Sequence, residues 1–291
     1  MKQISLLSVA AAVVLCVFSS CTKVNMIDEQ QENELSAKRN STSNCQSLNY
    51  VIGTDTDLAP FQKTIDPLTG KVSAIRAGAY TLNVAEVFNF DVRYKDQYAY
   101  FLSQGSTTDT VLKAHFDRKG NLLSLTPGNA PNENYLPVVF EYRNGKVSRM
   151  KISFNGSNLV SDFSYDRNGN VTRIQDQPFG GQAMGYVEYA YHPSMKASNQ
   201  VYFHEPVGFS RNSFIIAKYM NWLPSLTPTN LLTRTIVNWE GDYEAQNVYL
   251  KNHQLDGKGN LISYEVAGSA AGESYEQHNI TWSCPATGAL N

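Results

Sequence analysis

The sequence carries almost no net charge, −2 at pH 7 over 291 residues, and has no block of Lys or Arg. That excludes the basic footprint of a nucleic-acid-binding domain. It has no G-x-S-x-G elbow, no Gly-rich phosphate loop and no recognisable nucleophile beside a base, so no hydrolase or nucleotide-site motif is written in it. A catalytic triad assembles in space and not in sequence, so this thins the case for an enzyme without closing it. The five histidines (His115, His192, His204, His253 and His278) are scattered, and no two have the helical spacing of a metal site. No motif implies a cofactor. The apolar run Ile4 to Phe18 is too short for a comfortable helical span. Cysteine is scarce, with four in the chain.

Met1-Lys2 opens a positively charged start, the apolar run follows, and Val17-Phe18-Ser19-Ser20-Cys21 closes it. Small residues before a cysteine after such a run resemble a bacterial lipobox, although Phe18 stands where that motif prefers Leu. The resemblance implies cleavage before Cys21, a diacylglyceryl thioether on its sulfur and acylation of the new amine. Three acyl chains exceed the two signals that stable anchoring needs. Residues 1–20 then read as a lipoprotein signal peptide, 21–47 as a polar tether, 48–285 as one β domain and 286–291 as a tail. Cys16 leaves with the signal and Cys21 carries lipid, so Cys45 and Cys284 remain at the two ends of the domain. Outside the cytoplasm such a pair is expected to oxidise, joining the first and last strands; the alternative is two unpaired thiols.

What the chain has in abundance is Tyr (17) and Phe (13), set in alternating strands. Phe163 to Ile174, FSYDRNGNVTRI, alternates, breaks at Asp166-Arg167-Asn168-Gly169-Asn170, then alternates again. This is a hairpin signature in which Asn168 and Gly169 supply positive φ. The phrase recurs at Phe116–Leu122 and Leu255–Leu261, one residue shorter at Tyr142–Val147 and one longer from Ile65 to Val72, with a degenerate copy turning near Lys95-Asp96. Turn glycines at 70, 120, 145 and 169 give a period of roughly 25 residues, and units of that size must stack to bury their apolar faces. The expected fold is all-β: an antiparallel meander of repeated hairpins forming a barrel or strongly curved sheet. An irregular, Pro-containing insertion at about 191–231 breaks the rhythm. Its Phe214–Leu223 stretch reads as one short helix, ended by Pro224.

Together, the lipobox, the tether, the [FY]-x-[YF]-D-x-x-G-N-[VL] hairpins and the excursion after Tyr191-His192-Pro193 resemble a lipoprotein family common in Bacteroidota with a porin-like β fold. The hairpin phrase is also similar to the YD repeats of large secreted shell-forming proteins. The resemblance implies a lipid-anchored protein of the outer membrane, in either leaflet, and brings no catalytic residues with it. The apolar faces are interrupted by Ser161 and Asp162 and the chain ends Ala289-Leu290-Asn291, which favours a tethered, water-soluble barrel over a membrane-spanning pore.

Asp166-x-Asn168-x-Asn170 resembles the start of a calcium loop, but the later acidic ligand is missing and Asp117 and Asp256 sit in the same turn phrase, so turn capping is the favoured reading. His115 with Asp117, two apart on a strand, is read as a surface contact. Trp222, Trp239, Tyr219, Tyr243 and Tyr202 cluster in and after the insertion, where they are candidates for a sugar-stacking platform or for core. The leading expectation is a non-catalytic binding or structural module with a glycan or envelope-protein partner. The alternatives are an enzyme acting on envelope polymers and a spanning pore.

Overall fold

The structure, a computed structural model, describes residues 45–54, 57–77, 89–130, 135–154, 156–177, 185–200, 202, 211–238 and 245–284. Cys21, Trp239 and Tyr243 lie outside them. Eight strands form the first half: β1 (Gln46–Thr54), β2 (Asp57–Ile65), β3 (Val72–Ala77), β4 (Asn89–Lys95), β5 (Tyr98–Ser103), β6 (Thr110–Phe116), β7 (Leu122–Pro127) and β8 (Val138–Arg143). The second half is β9 (Lys146–Phe154), β10 (Ser157–Tyr165), β11 (Val171–Asp176), β12 (Tyr186–Lys196), β13 (Asn230–Asn238), β14 (Gln246–Leu255), β15 (Leu261–Ala267) and β16 (Ser274–Ser283). Each pairs antiparallel with the next, and β16 pairs with β1, so the meander closes into a sixteen-stranded barrel with no open edge.

Alternation puts apolar side chains inward. Leu159, Ser161 and Phe163 of β10 are buried, as are Met150 and Ile152 of β9; each large apolar side chain so buried contributes roughly 1.5–3 kcal/mol. The outward face carries charge. Arg149 pairs with Asp162 at 2.7 Å, Arg173 with Glu188 at 2.8 Å, Arg76 with Asp91 at 2.6 Å, and Lys151 with Glu141. On a lipid-facing wall each such cation would cost about 2–4 kcal/mol near the midplane. These pairs lie on β3–β4, β8–β9, β9–β10 and β11–β12.

The hairpin phrase has two physical parts. In the turn, Asp166 accepts from the Asn168 and Asn170 amides (2.8 and 2.9 Å) and from Asn170 Nδ2 (2.9 Å), and Gly169 takes φ 89°. Asn168 does not share the positive φ expected of it, since the glycine alone reverses the chain. Asp117 and Asp256 repeat the arrangement with Asn121 and Asn260. Partial burial acts to raise these three carboxyls, but the side-chain and backbone donors outweigh it and hold them below the usual carboxylate range. Their lone pairs are spent on amides, which is the capping reading and leaves no calcium loop. In the strand, three tyrosines reach back one hairpin: Tyr142 Oη donates to Leu122 O (2.9 Å), Tyr165 to Val147 O and Tyr191 to Val171 O (both 2.7 Å). Trp282 Nε1 does the same to Leu261 O at 2.7 Å.

The insertion is narrower than expected. β12 runs through Pro193 to Lys196, and a register shift between Tyr191 and Lys196 accommodates the missing amide. Helix α1 (Arg211–Tyr219) and a 3-10 turn at Pro224–Leu226 follow. Phe214, Ile216, Ala217, Tyr219, Met220, Leu223 and Leu226 join the inward strand residues in one core. Ser213 Oγ donates to Leu136 O (3.3 Å) and Lys63 Nζ to Tyr219 O (2.6 Å). Leu136 follows β7 and Lys63 lies near the end of β2, at opposite rims, so α1 runs along the bore as a plug. Replacing the staple phenols singly (Tyr142→Phe, Tyr165→Phe, Tyr191→Phe) should cost about 1–2 kcal/mol each in urea unfolding, because each leaves a strand carbonyl unpaired. Losses near zero at all three would refute the staple.

Candidate functional site

The polar side chains that the barrel turns inward meet at its closing seam. Glu276 and His278 stand two apart on β16 and so point the same way, into the core, at 7% and 1% exposure. Register sets Tyr264 of β15 beside His278, with the rings parallel at 4.4 Å. Tyr50 of β1 meets the imidazole edge-on at 5.7 Å. His278 Nε2 lies 3.0 Å from Glu276 Oε2 and Nδ1 lies 2.8 Å from Tyr50 Oη, which in turn bonds to Tyr264 Oη. A carboxylate at Nε2 requires the proton there, leaving Nδ1 to accept from the Tyr50 hydroxyl. Burial pulls the His278 imidazole below its ordinary range, and Glu276 partly restores it. His253 of β14, parallel to Tyr264 at 6.1 Å, is also lowered by burial, and its Nε2 is buried without a hydrogen-bond partner.

A carboxylate–imidazole–phenol chain can hold or pass a proton. Here both tyrosines are fully buried, and no substrate surface among the described residues reaches them. A cavity of about 10 Å³ between α1 and the wall, lined by Phe163, Tyr189, Tyr202, Phe214, Lys218 and Leu232, has room for one water and not for a sugar. The other inward carboxylate, Asp176, accepts from Ser161 Oγ at 2.6 Å and is raised by burial. The arrangement suits a satisfied polar network that fixes register at the seam.

Lys63 is a buried ionisable group away from the seam, its ammonium pulled down to about 7 by burial. It caps the C-terminal carbonyl of α1 and lies 4.3 Å over the Tyr219 ring, a favourable place for a cation.

The described members of the aromatic platform expected in the insertion are not exposed. Tyr219 (2%) and Tyr202 (3%) are core, and half-buried Trp222 packs edge-on against Phe101 (5.4 Å) and Phe116 (5.0 Å). They are plug side chains because α1 enters the bore and takes its neighbours with it. His115 stacks on Tyr98 at 4.6 Å, while Asp117 serves its own turn. The strand pair that does come together is Glu276-x-His278, with the same two-residue spacing as His115-x-Asp117. Among the described residues no three His, Cys, Asp or Glu are placed to hold a metal.

The terminal cysteines flank the same seam: Cys45 and Cys284 are joined, with Cα atoms 4.0 Å apart across a separation of 239 residues.

Comparison with solved structures finds the same architecture in a porin-like protein from Bacteroides vulgatus, 12% identical, with TM-score 0.56 over 82% of this chain and 99% of that one. A porin-like protein from Bacteroides uniformis aligns at 13% identity and TM-score 0.49, covering 82% and 97%. No protein-family model and no curated protein sequence matches. At these identities the likeness is one of fold.

The folded value of His278 lies below its ordinary 6.5, so its contribution to stability is whole above pH 6.5 and is lost as pH falls through the folded value; His253 has the same sign. The turn aspartates, lowered from 3.8, titrate later. The melting temperature should therefore hold above pH 6.5 and begin to fall before the carboxylates protonate. His278→Gln should lower it at pH 7.5 and flatten that first step. A step equally steep in the variant would count against the network.

Proposed function

We propose that this chain is a lipid-anchored, non-catalytic barrel of the cell envelope, held at a membrane through Cys21 and exposed to water over its walls. The observation that carries this is the inverted polarity of the barrel: ion pairs outside, and an apolar bore filled by α1 inside. A conducting pore needs the opposite arrangement, and an enzyme needs a cleft that reaches its buried carboxylates. The lipobox-like Val17-Phe18-Ser19-Ser20-Cys21 supports the anchor, and the porin-like fold accords with an envelope protein. Recognition of a glycan or an envelope protein then falls to the outer walls and the rims rather than to the bore.

Intact-mass spectrometry of the mature protein from membranes tests this reading. The expected species begins at Cys21 and carries a diacylglyceryl thioether and an amide-linked acyl chain, and Cys21→Ser abolishes both modifications. A mature chain that starts elsewhere, or an unmodified Cys21, overturns the anchor.

A further inference from the structure

Because the strands alternate in direction, every second connection falls on the same rim. The β2–β3, β4–β5, β6–β7, β8–β9, β10–β11 and β14–β15 hairpins therefore share one rim with the mouth of the insertion and with Cys45 and Cys284. Each of these six hairpins holds out an exposed cation: Lys71, Lys95, Lys119, Arg143, Arg167 and Lys258. The aspartates of the same rim are placed differently. Asp66, Asp117, Asp166 and Asp256 are half-buried and turned back onto their own turn amides, and Asp96 alone is exposed. Leu68, at the tip of the first hairpin, is 94% exposed. In the opposite rim's described connections Asp109 and Glu273 are the charged residues, with no Lys or Arg.

We infer that the cationic hairpin rim is a docking surface for an anionic phospholipid bilayer, with the lysine and arginine tips at the headgroups and Leu68 at the interface. Two observations select this occupant. A ring of cations, at least one on each of these six hairpins and spread around a circumference, matches a plane of phosphates rather than a compact ligand. The described chain also begins on this rim, at Cys45, so this is the rim nearest in sequence to Cys21. The inference rests on the anchored reading for its geometry but not for its chemistry. The opposite rim is left to face away from the membrane.

The test uses the full chain with Cys21→Ser, which cannot be acylated, and measures sedimentation with vesicles of phosphatidylglycerol in phosphatidylcholine against phosphatidylcholine alone. A stronger partition into the anionic vesicles is expected, weakening as salt is raised. The combined variant Lys71→Gln, Lys119→Gln, Arg167→Gln and Lys258→Gln should weaken it at least about tenfold, while Lys→Arg replacements at positions 71, 119 and 258 should retain it. Equal partition into both vesicle types, insensitivity to salt in the unaltered rim, or no loss in the glutamine variant overturns the proposal. If the glutamine variant does not fold, the salt titration and vesicle comparison of the parent still decide. Because Cys21 is absent throughout, failure here is distinct from failure of lipidation, which the mass measurement reads by itself.

Discussion

An antiparallel meander has two open edges, and everything else in this molecule depends on joining them. Exposed edges invite pairing with other chains, and here the first strand pairs with the last. Bringing together residues 239 apart costs on the order of 5 kcal/mol in loop-closure entropy. Three contacts at the seam act against that cost. The β1–β16 ladder supplies backbone hydrogen bonds, the Cys45–Cys284 link restricts the unfolded chain as well as the folded one, and the Tyr50–His278–Tyr264 cluster specifies register. A slip of one residue would turn Tyr50 or His278 out of the core and break the cluster. Buried polar groups are costly to leave unpaired, which makes them selective for one alignment.

Around that seam the wall is tiled by one device. In three turns an Asp and an Asn close the hairpin on itself, and Tyr142, Tyr165 and Tyr191 each tie their strand to the hairpin before. Asn170 extends the tie to the insertion, accepting from the Thr229 and Asn230 amides at 2.7 and 3.2 Å, and Asn260 accepts from Asn199 at 2.6 Å. The asparagine of the phrase is therefore the bracket on which the ends of the plug segment are hung. Both asparagines are essentially inaccessible to solvent, and their amides are used on both sides.

The local part of this was legible in the sequence. Hairpin positions and the presence of one short helix ahead of Pro224 follow from turn chemistry and periodicity, although the helix spans Arg211–Tyr219 rather than Phe214–Leu223. Of the two states that cysteine arithmetic left open for Cys45 and Cys284, the structure has the joined one. The non-local part was not. Strand alternation does not state how many hairpins close a ring, and nothing in Trp222 or Tyr219 says that α1 lies inside the bore rather than over it; Phe101 and Phe116, far away in sequence, decide that. Glu276 and His278 were visible as a two-residue spacing but were obscured by their strand. Along residues 274–283, SYEQHNITWS, and into Cys284, the alternation of Ile280, Trp282 and Cys284 marks the inward face, but Glu276 and His278 continue that face with polar side chains, so the apolar stripe stops short of them. Position within the ring, not residue type, makes them a cluster.

The barrel is closed between β1 and β16 and its bore is filled by α1. Amide hydrogen exchange of the disulfide-intact chain tests closure most directly, because an edge strand and an interior strand differ in opening free energy. Closure predicts that the amides of β1 and β16 exchange as slowly as those of β9 and β10, and that α1 is protected with them. Fast exchange along β1 or β16, at rates typical of an open edge, would contradict it.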